Sequence, residues 1–332
     1  MAAGCSSPTA PTNPSAGPTL SCPASQTVSS LSGVDQAVTF PLPVATGGTA
    51  PIAITCAPVS GSLFSVGTSK VTCTGIDTRQ QIGMCTFNVT VQSPPKLSAT
   101  RFVAFGDSIT EGKIADGTLL PSGGYWGDLS SLLAARYLTQ TITIAPRGCG
   151  GETAGPFPPG VDPPPCSTAG GGVARLARVL VSDNPQVVLL LEGVNDLSLG
   201  GDPSAIAPMI GALRSMIDES RIRGARVFLA TLTPTRATGT PSPRGRAAMP
   251  LIPAANDAIR QLAASQGEVL VDLYQGFNGN PDPYIDTDGL HPNAVGYQKI
   301  ADIFFDAIHA NLEATSEERR RFNPSAAPSV RR

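Results

Sequence analysis

Phe102-Val103-Ala104-Phe105-Gly106-Asp107-Ser108-Ile109-Thr110-Glu111-Gly112 places four apolar residues directly before a Gly-Asp-Ser turn. Such a run, closed by glycine, reads as a strand buried on both faces with Ser108 at its mouth. Comparable runs recur at Thr141–Ala145, Val187–Leu191, Val227–Leu232 and Val269–Leu273. Between them the spacing predicts helices near Trp126–Leu138, Val173–Val181, Ser204–Arg223 and Pro253–Ser265, then Ala294–Leu312. Apolar strands alternating with amphipathic helices predict a doubly wound, five-stranded parallel sheet, an α/β domain over residues 100–314.

Residues 20–92 have a different texture. Short β-rich runs (Ala37–Phe40, Ile52–Cys56, Lys70–Thr74, Cys85–Val91) alternate with turn clusters such as Gly47-Gly48 and Gly67-Thr68. Close strand spacing with turn signals predicts a small all-β sandwich. Residues 1–19 have a linker composition of Pro, Ser, Thr, Ala and Gly, and residues 93–99 form a second, stiffer linker around Pro94-Pro95. Residues 315–332, charged and then rich in Pro, Ala and Ser, are expected to fray.

A chain of 332 residues suits two domains with tails, and 41% apolar residues suffice for two cores. Net charge is −2, and no basic stripe is interleaved with aromatics, so nucleic-acid binding is not expected. No run of about 18 apolar residues predicts a transmembrane helix. Cys22, Cys56, Cys73 and Cys85 lie on strand-like segments without a C-x-x-C pair, which reads as disulfides rather than zinc. Four cysteines allow three connectivities, and spacing leaves the choice open. Disulfides imply an oxidising location: secreted, periplasmic or at the cell surface. Ala2-Ala3-Gly4-Cys5, followed by a Ser/Pro/Thr tract, resembles the cleavage box of bacterial lipoproteins. That resemblance implies a lipid anchor on Cys5 as the only membrane attachment, with the signal lying upstream of this sequence.

In an open parallel sheet, functional residues gather at the C-terminal strand ends. The unusual residues of this chain follow its strands: Gly106-Asp107-Ser108, then Arg147-Gly148-Cys149-Gly150-Gly151-Glu152-Thr153, then Gly193-Val194-Asn195-Asp196, and finally Asp288-Gly289-Leu290-His291. A serine hydroxyl needs a neighbouring base, and the chain has only two histidines. His309 falls off the apolar face of its predicted helix and reads as solvated, leaving His291 with Asp288 to orient it. Cys149 has no base of its own, so it is the weaker nucleophile candidate. No metal-ligand spacing or nucleotide-binding fingerprint occurs, so no cofactor is expected.

These four blocks in this order resemble the SGNH, or GDSL, hydrolase family. The resemblance implies a flavodoxin-like fold and a serine esterase of short acyl or acetyl esters. It assigns Ser108 as nucleophile, His291 as base and Asp288 as orienter, and Ser108, Gly151 and Asn195 as oxyanion donors. Gly151 is preferred to Gly150 because Gly151-Glu152-Thr153 resembles the family's Gly-Asp-Thr ending. Pro146 stands where the second block often opens with asparagine, which puts the usual bonding of that loop in question. A Cys149–Cys166 disulfide would brace the same loop, behind the Pro-rich stretch from Pro156 to Pro165. Within residues 20–92, Cys22-Pro23, Val38-Thr39-Phe40-Pro41, Cys56-x-Pro58-x-Ser60-Gly61, Val71-Thr72-Cys73-Thr74 and Cys85-Thr86-Phe87 resemble a hyalin-repeat (HYR) domain. That resemblance implies an immunoglobulin-like module that spaces the enzyme or binds a surface or glycan partner.

The substrate is less legible: a small ester or an acylated glycan. Tyr125-Trp126 either lines a pocket or opens the next helix, and Arg236, Arg244 and Arg246 in the insertion from Pro234 to Pro250 border a cleft or simply face solvent. Two other functions fit the same residues, an acyltransferase using this apparatus and an adhesion protein with an idle α/β domain.

Overall fold

The computed structural model describes residues 16–314, so Cys5, where a lipid anchor is expected, most of the leader and the tail 315–332 lie outside the described residues. The chain divides into two compact units, one ending at Pro94 and the other starting at Pro95.

The first unit is built of β-strands. Its main sheet orders Gln26–Ser29, Ile82–Gln92, Gly67–Ile76 and Ala53–Ala57, and two short pairs, Thr19–Ser21 with Val44–Thr46 and Gln36–Ala37 with Leu63–Phe64, complete it. Along Ile82–Gln92 the even and odd positions part company: Phe87, Val89 and Val91 are buried and the residues between them turn outward. With Val38, Phe40, Phe64 and Val71 they form this unit's core. Cys56 and Cys73 face each other across two paired strands and are bridged, while Cys22 reaches Cys85. The open connectivity thus resolves as Cys22–Cys85 and Cys56–Cys73. The four short strands outside the predicted runs escape sequence reading because two to four residues carry too little periodicity.

The second unit is the parallel α/β domain. Its strands are β1 (Arg101–Gly106), β2 (Thr143–Gly148), β3 (Val187–Leu191), β4 (Arg226–Ala230) and β5 (Val269–Val271), in sheet order β2-β1-β3-β4-β5. All neighbours run parallel. The central strand β3 is buried at every position, as a strand covered on both faces must be. The longer helices are α1 (Ser108–Glu111), α2 (Tyr125–Arg136), α3 (Gly171–Asp183), α4 (Val194–Gly200), α5 (Ile206–Ile222), α6 (Pro243–Ala248), α7 (Ile252–Gln266), α8 (Leu273–Gly276) and α9 (Ala294–Leu312). From β1 the chain steps outward to β2, then returns past β1 to β3 and onward. Right-handed crossovers in opposite directions put helices on opposite faces. Accordingly α2 packs with α9, while α3, α5 and α7 pack in series.

Three local readings change. β2 continues through Pro146, Arg147 and Gly148 instead of ending at Ala145. It is an edge strand, where a proline lacking its N–H costs no ladder bond. β4 and β5 stop short of Leu232 and Leu273, because Thr231 and Asp272 already turn into side-chain bonds. Tyr125 does not line a pocket: it is wholly buried and stacked on Phe304, and Trp126 packs beside it on the core.

Cys149, just past β2, is bridged to Cys166, 17 residues on. Replacing both by alanine removes the cross-link and is expected to lower stability by roughly 3 kcal/mol. Urea unfolding followed by tryptophan fluorescence measures it, since the single Trp126 belongs to this unit. An unshifted midpoint refutes the bracing role.

Candidate active site

The site starts at Gly106, the last residue of β1. A Cβ there would collide with the Leu191 carbonyl of β3 and the Thr110 hydroxyl, so only glycine lets the neighbouring strand end approach. Asp107 then caps α1, its carboxylate accepting from the Ile109 N–H at 2.9 Å. Ser108 is therefore the first residue of a helix that begins at the C-terminal edge of the sheet. Its N–H, like all first-turn amides, has no intrahelical partner.

His291 reaches it across 183 residues of sequence. His291 Nε2 lies 2.9 Å from Ser108 Oγ, and Nδ1 lies 2.6 Å from Asp288 Oδ2. The other Asp288 oxygen accepts the N–H groups of Leu290 and His291 at 3.1 and 3.0 Å. Burial pushes the Asp288 carboxyl up, but these bonds from His291 and Leu290 outweigh it and hold the group below its ordinary range. Asp288 thus stays an anion beside the imidazole. His309 lies elsewhere, exposed on α9 and bonded to Arg136 at 3.1 Å.

Of the remaining sequence-chosen residues, Gly151 lines the same cleft as Ser108 and His291, with φ at +83° and no acceptor on its N–H among the described residues. Gly150, by contrast, donates its N–H to Glu111 Oε2 at 2.8 Å. Asn195, in the first turn of α4, is buried behind the lining residues, and its Nδ2 donates to the Glu152 carbonyl at 2.8 Å. One hydrogen of that amide remains uncommitted. Cys149 is held in its disulfide and is no nucleophile.

The cleft has a volume of about 290 Å³. Phe157, Val161 and Pro164 of the disulfide-closed loop and Leu199 of α4 supply its apolar wall, and Lys113, Asp162 and Arg244 its charges. The sequence pointed to Arg244, but not to the wall. Proline-rich composition marks a loop, not which way its apolar side chains turn.

Residues 104–299 match the model of the GDSL-like lipase/acylhydrolase family, and residues 15–91 that of the HYR domain. The chain belongs to the GDSL-like lipase/acylhydrolase family. Among solved structures, a lipase/acylhydrolase from Enterococcus faecalis is 22% identical, with 65% of this chain and 98% of that one covered at a TM-score of 0.50. A carbohydrate acetylesterase family member from Sinorhizobium meliloti overlaps at 15% identity, 64% and 98% coverage and a TM-score of 0.49. No curated protein matches the sequence. The first of these likenesses bears on the fold, and family membership makes the chain a carboxylic ester hydrolase.

Behind the cleft of this GDSL-like hydrolase lies a cluster of buried acids that sequence reasoning missed. Glu152 is wholly buried and pairs with Arg175 of α3, while Asp196 accepts the N–H groups of Ala154 and Gly155 at 2.7 and 3.3 Å. Burial raises the Asp196 carboxyl to about 6, and burial with nearby Glu152 and Asp196 raises Asp107 to about 7 despite the Ile109 N–H and His291. Glu192, whose Oε2 has no hydrogen-bond partner among the described residues, is pushed well above its ordinary range by burial and then by Asp107.

An acid raised on folding binds its proton more tightly in the folded state, so it costs stability as pH climbs from its unfolded to its folded value. For Asp107 that window runs from about 3.8 to about 7. Asn at this position keeps an oxygen for the Ile109 N–H and never ionises. The melting temperature of Asp107→Asn relative to wild type should therefore rise between pH 4 and pH 8. A difference that is flat or falls over that range contradicts the assignment.

Proposed function

We propose that the chain is a serine esterase of short acyl or acetyl esters, working through Ser108, His291 and Asp288. The observation carrying this reading is the unbroken hydrogen-bonded chain from Ser108 Oγ to His291 to Asp288. Neutral His291 takes the hydroxyl proton at Nε2 as Ser108 Oγ attacks the ester carbonyl. Asp288 holds Nδ1–H, fixing the tautomer and balancing the imidazolium that forms. The carbonyl oxygen gains charge as the tetrahedral intermediate develops, and the Ser108 and Gly151 N–H groups with Asn195 Nδ2 are its donors. His291 then returns the proton to the departing alcohol, and a water activated by the same imidazole releases the acid from Ser108.

The cleft of about 290 Å³, walled by the disulfide-closed loop, supports small acyl groups over long chains. Three disulfides among the described residues support a secreted, periplasmic or cell-surface location. The HYR domain supports a surface or glycan partner for the first unit. An idle domain would need neither the aligned imidazole nor an anionic Asp288, which argues against the adhesion-only reading.

Ser108→Ala should lower kcat/KM for p-nitrophenyl acetate and butyrate by about 10⁴-fold or more. Equal rates in the two proteins would remove Ser108 from the mechanism. Asn195→Ala should cost roughly 10²–10³-fold in kcat; if only KM changes, its amide does not serve the oxyanion.

A further inference from the structure

Resting on the esterase reading, we infer that Arg244 selects esters whose substrate carries a carboxylate close to the scissile bond. Arg244 sits on α6 and lines the cleft with Ser108, Gly151 and His291. Its Nη1 lies 3.4 Å from where a Cβ of Gly151 would stand, so the guanidinium hangs directly over the glycine proposed to hold the oxyanion.

The arginine's backbone is fixed against both halves of the site. Ser242, the N-cap of α6, donates its N–H to the Asp288 carbonyl at 2.8 Å, and the Ser198 hydroxyl of α4 is shared between the Val194 carbonyl at 2.9 Å and the Arg244 carbonyl at 3.2 Å. Arg236 of the same insertion donates its N–H to the Gly289 carbonyl at 2.9 Å. The segment is thus stitched to the loop that carries Asp288 and His291, and to the helix that carries Asn195.

The side chain, by contrast, has no partner among the described residues. Arg236 is engaged with Thr238 and Asp282, Arg147 with Asp183 and Arg175 with Glu152, and although Arg178, Arg214 and Arg246 also lack a side-chain partner among the described residues, none of them lines the cleft. The cleft's second cation, Lys113, is paired with Glu111 at 3.0 Å. Its one carboxylate, Asp162, is exposed on the proline-rich loop and forms no ion pair with Arg244. A guanidinium held on a braced backbone and left without a counter-ion is suited to a planar anion brought by the substrate. In a cleft this small the anion must be near the ester. It sits either on the alcohol side, as in an acetylated sugar acid, or on the acyl side, as in the half-ester of a dicarboxylic acid.

Two matched pairs test this with the full-length protein. For the alcohol side they are 4-acetoxybenzoate and its methyl ester; for the acyl side, mono-p-nitrophenyl succinate and p-nitrophenyl butyrate. The quantity read is the anionic-to-neutral ratio of kcat/KM. In at least one pair this ratio should fall about 10- to 100-fold in Arg244→Gln, with partial recovery in Arg244→Lys. In wild type the same ratio should drop as salt rises. The pair that responds locates the carboxylate. Ratios unchanged by Arg244→Gln in both pairs overturn the inference while leaving the esterase reading intact, provided Ser108→Ala is inactive. A wild type inert to all four esters, or an active Ser108→Ala, sinks the esterase reading and this inference with it.

Discussion

The buried ion pair between Arg175 and Glu152 holds two strand ends and the loop that leaves one of them in one place. Beyond Glu152, the Arg175 guanidinium donates to the Arg147 carbonyl at 2.8 Å and the Gly106 carbonyl at 3.0 Å, and its plane covers the Phe105 ring at 4.0 Å. It therefore ties the C-terminal ends of β1 and β2 to the loop that leaves β2. Glu152 in turn accepts the Ser167 hydroxyl, next to Cys166, and its carbonyl takes the Asn195 amide. Desolvating two charges is costly, and such a pair adds little net stability over an apolar substitute. Its value here is geometric, because Ser108 and Gly151 lie within two residues of groups it bonds and Asn195 donates to the Glu152 carbonyl.

The same logic explains the acids around it. Asp107, Asp196 and Glu192 are buried together, and their carboxyls rise above the ordinary range because water is excluded and like charges crowd. Asp107 and Asp196 nonetheless serve as acceptors for backbone N–H groups that no strand or helix satisfies. The loops at this sheet edge are too tight to bond to themselves, so side chains stand in. The instability this stores sits directly under the proposed nucleophile and oxyanion donors, where a rigid backbone matters most.

The proposed catalytic groups and the cleft's wall come from different parts of this fold. The serine, the imidazole and the carboxylate are delivered by strand ends and by the loop before α9. The wall and the free guanidinium come from two insertions, one closed by the Cys149–Cys166 bridge and the other stitched to the Asp288 loop.

Sequence alone determined the α/β class and all five parallel strands, and it singled out Ser108, Asp288 and His291, which the fold brings into one hydrogen-bonded chain, because each rests on local signals: an apolar run, a turn glycine, an Asp and a His three apart. Tertiary structure alone decided the rest. The disulfide pairing of Cys22, Cys56, Cys73 and Cys85 depends on which strands lie side by side. Tyr125 and Trp126 turn into the core because α2 packs on α9, a contact between segments about 170 residues apart. Arg175 reads locally as a polar face of an amphipathic helix, and only the arrival of Glu152 from another loop makes it a buried clamp. Arg244 stood out as a charge, but that it meets no counter-ion among the described residues is a property of its three-dimensional surroundings. Local pattern specifies what an element is, whereas which residues end up opposed across a crossover depends on packing that no short stretch encodes.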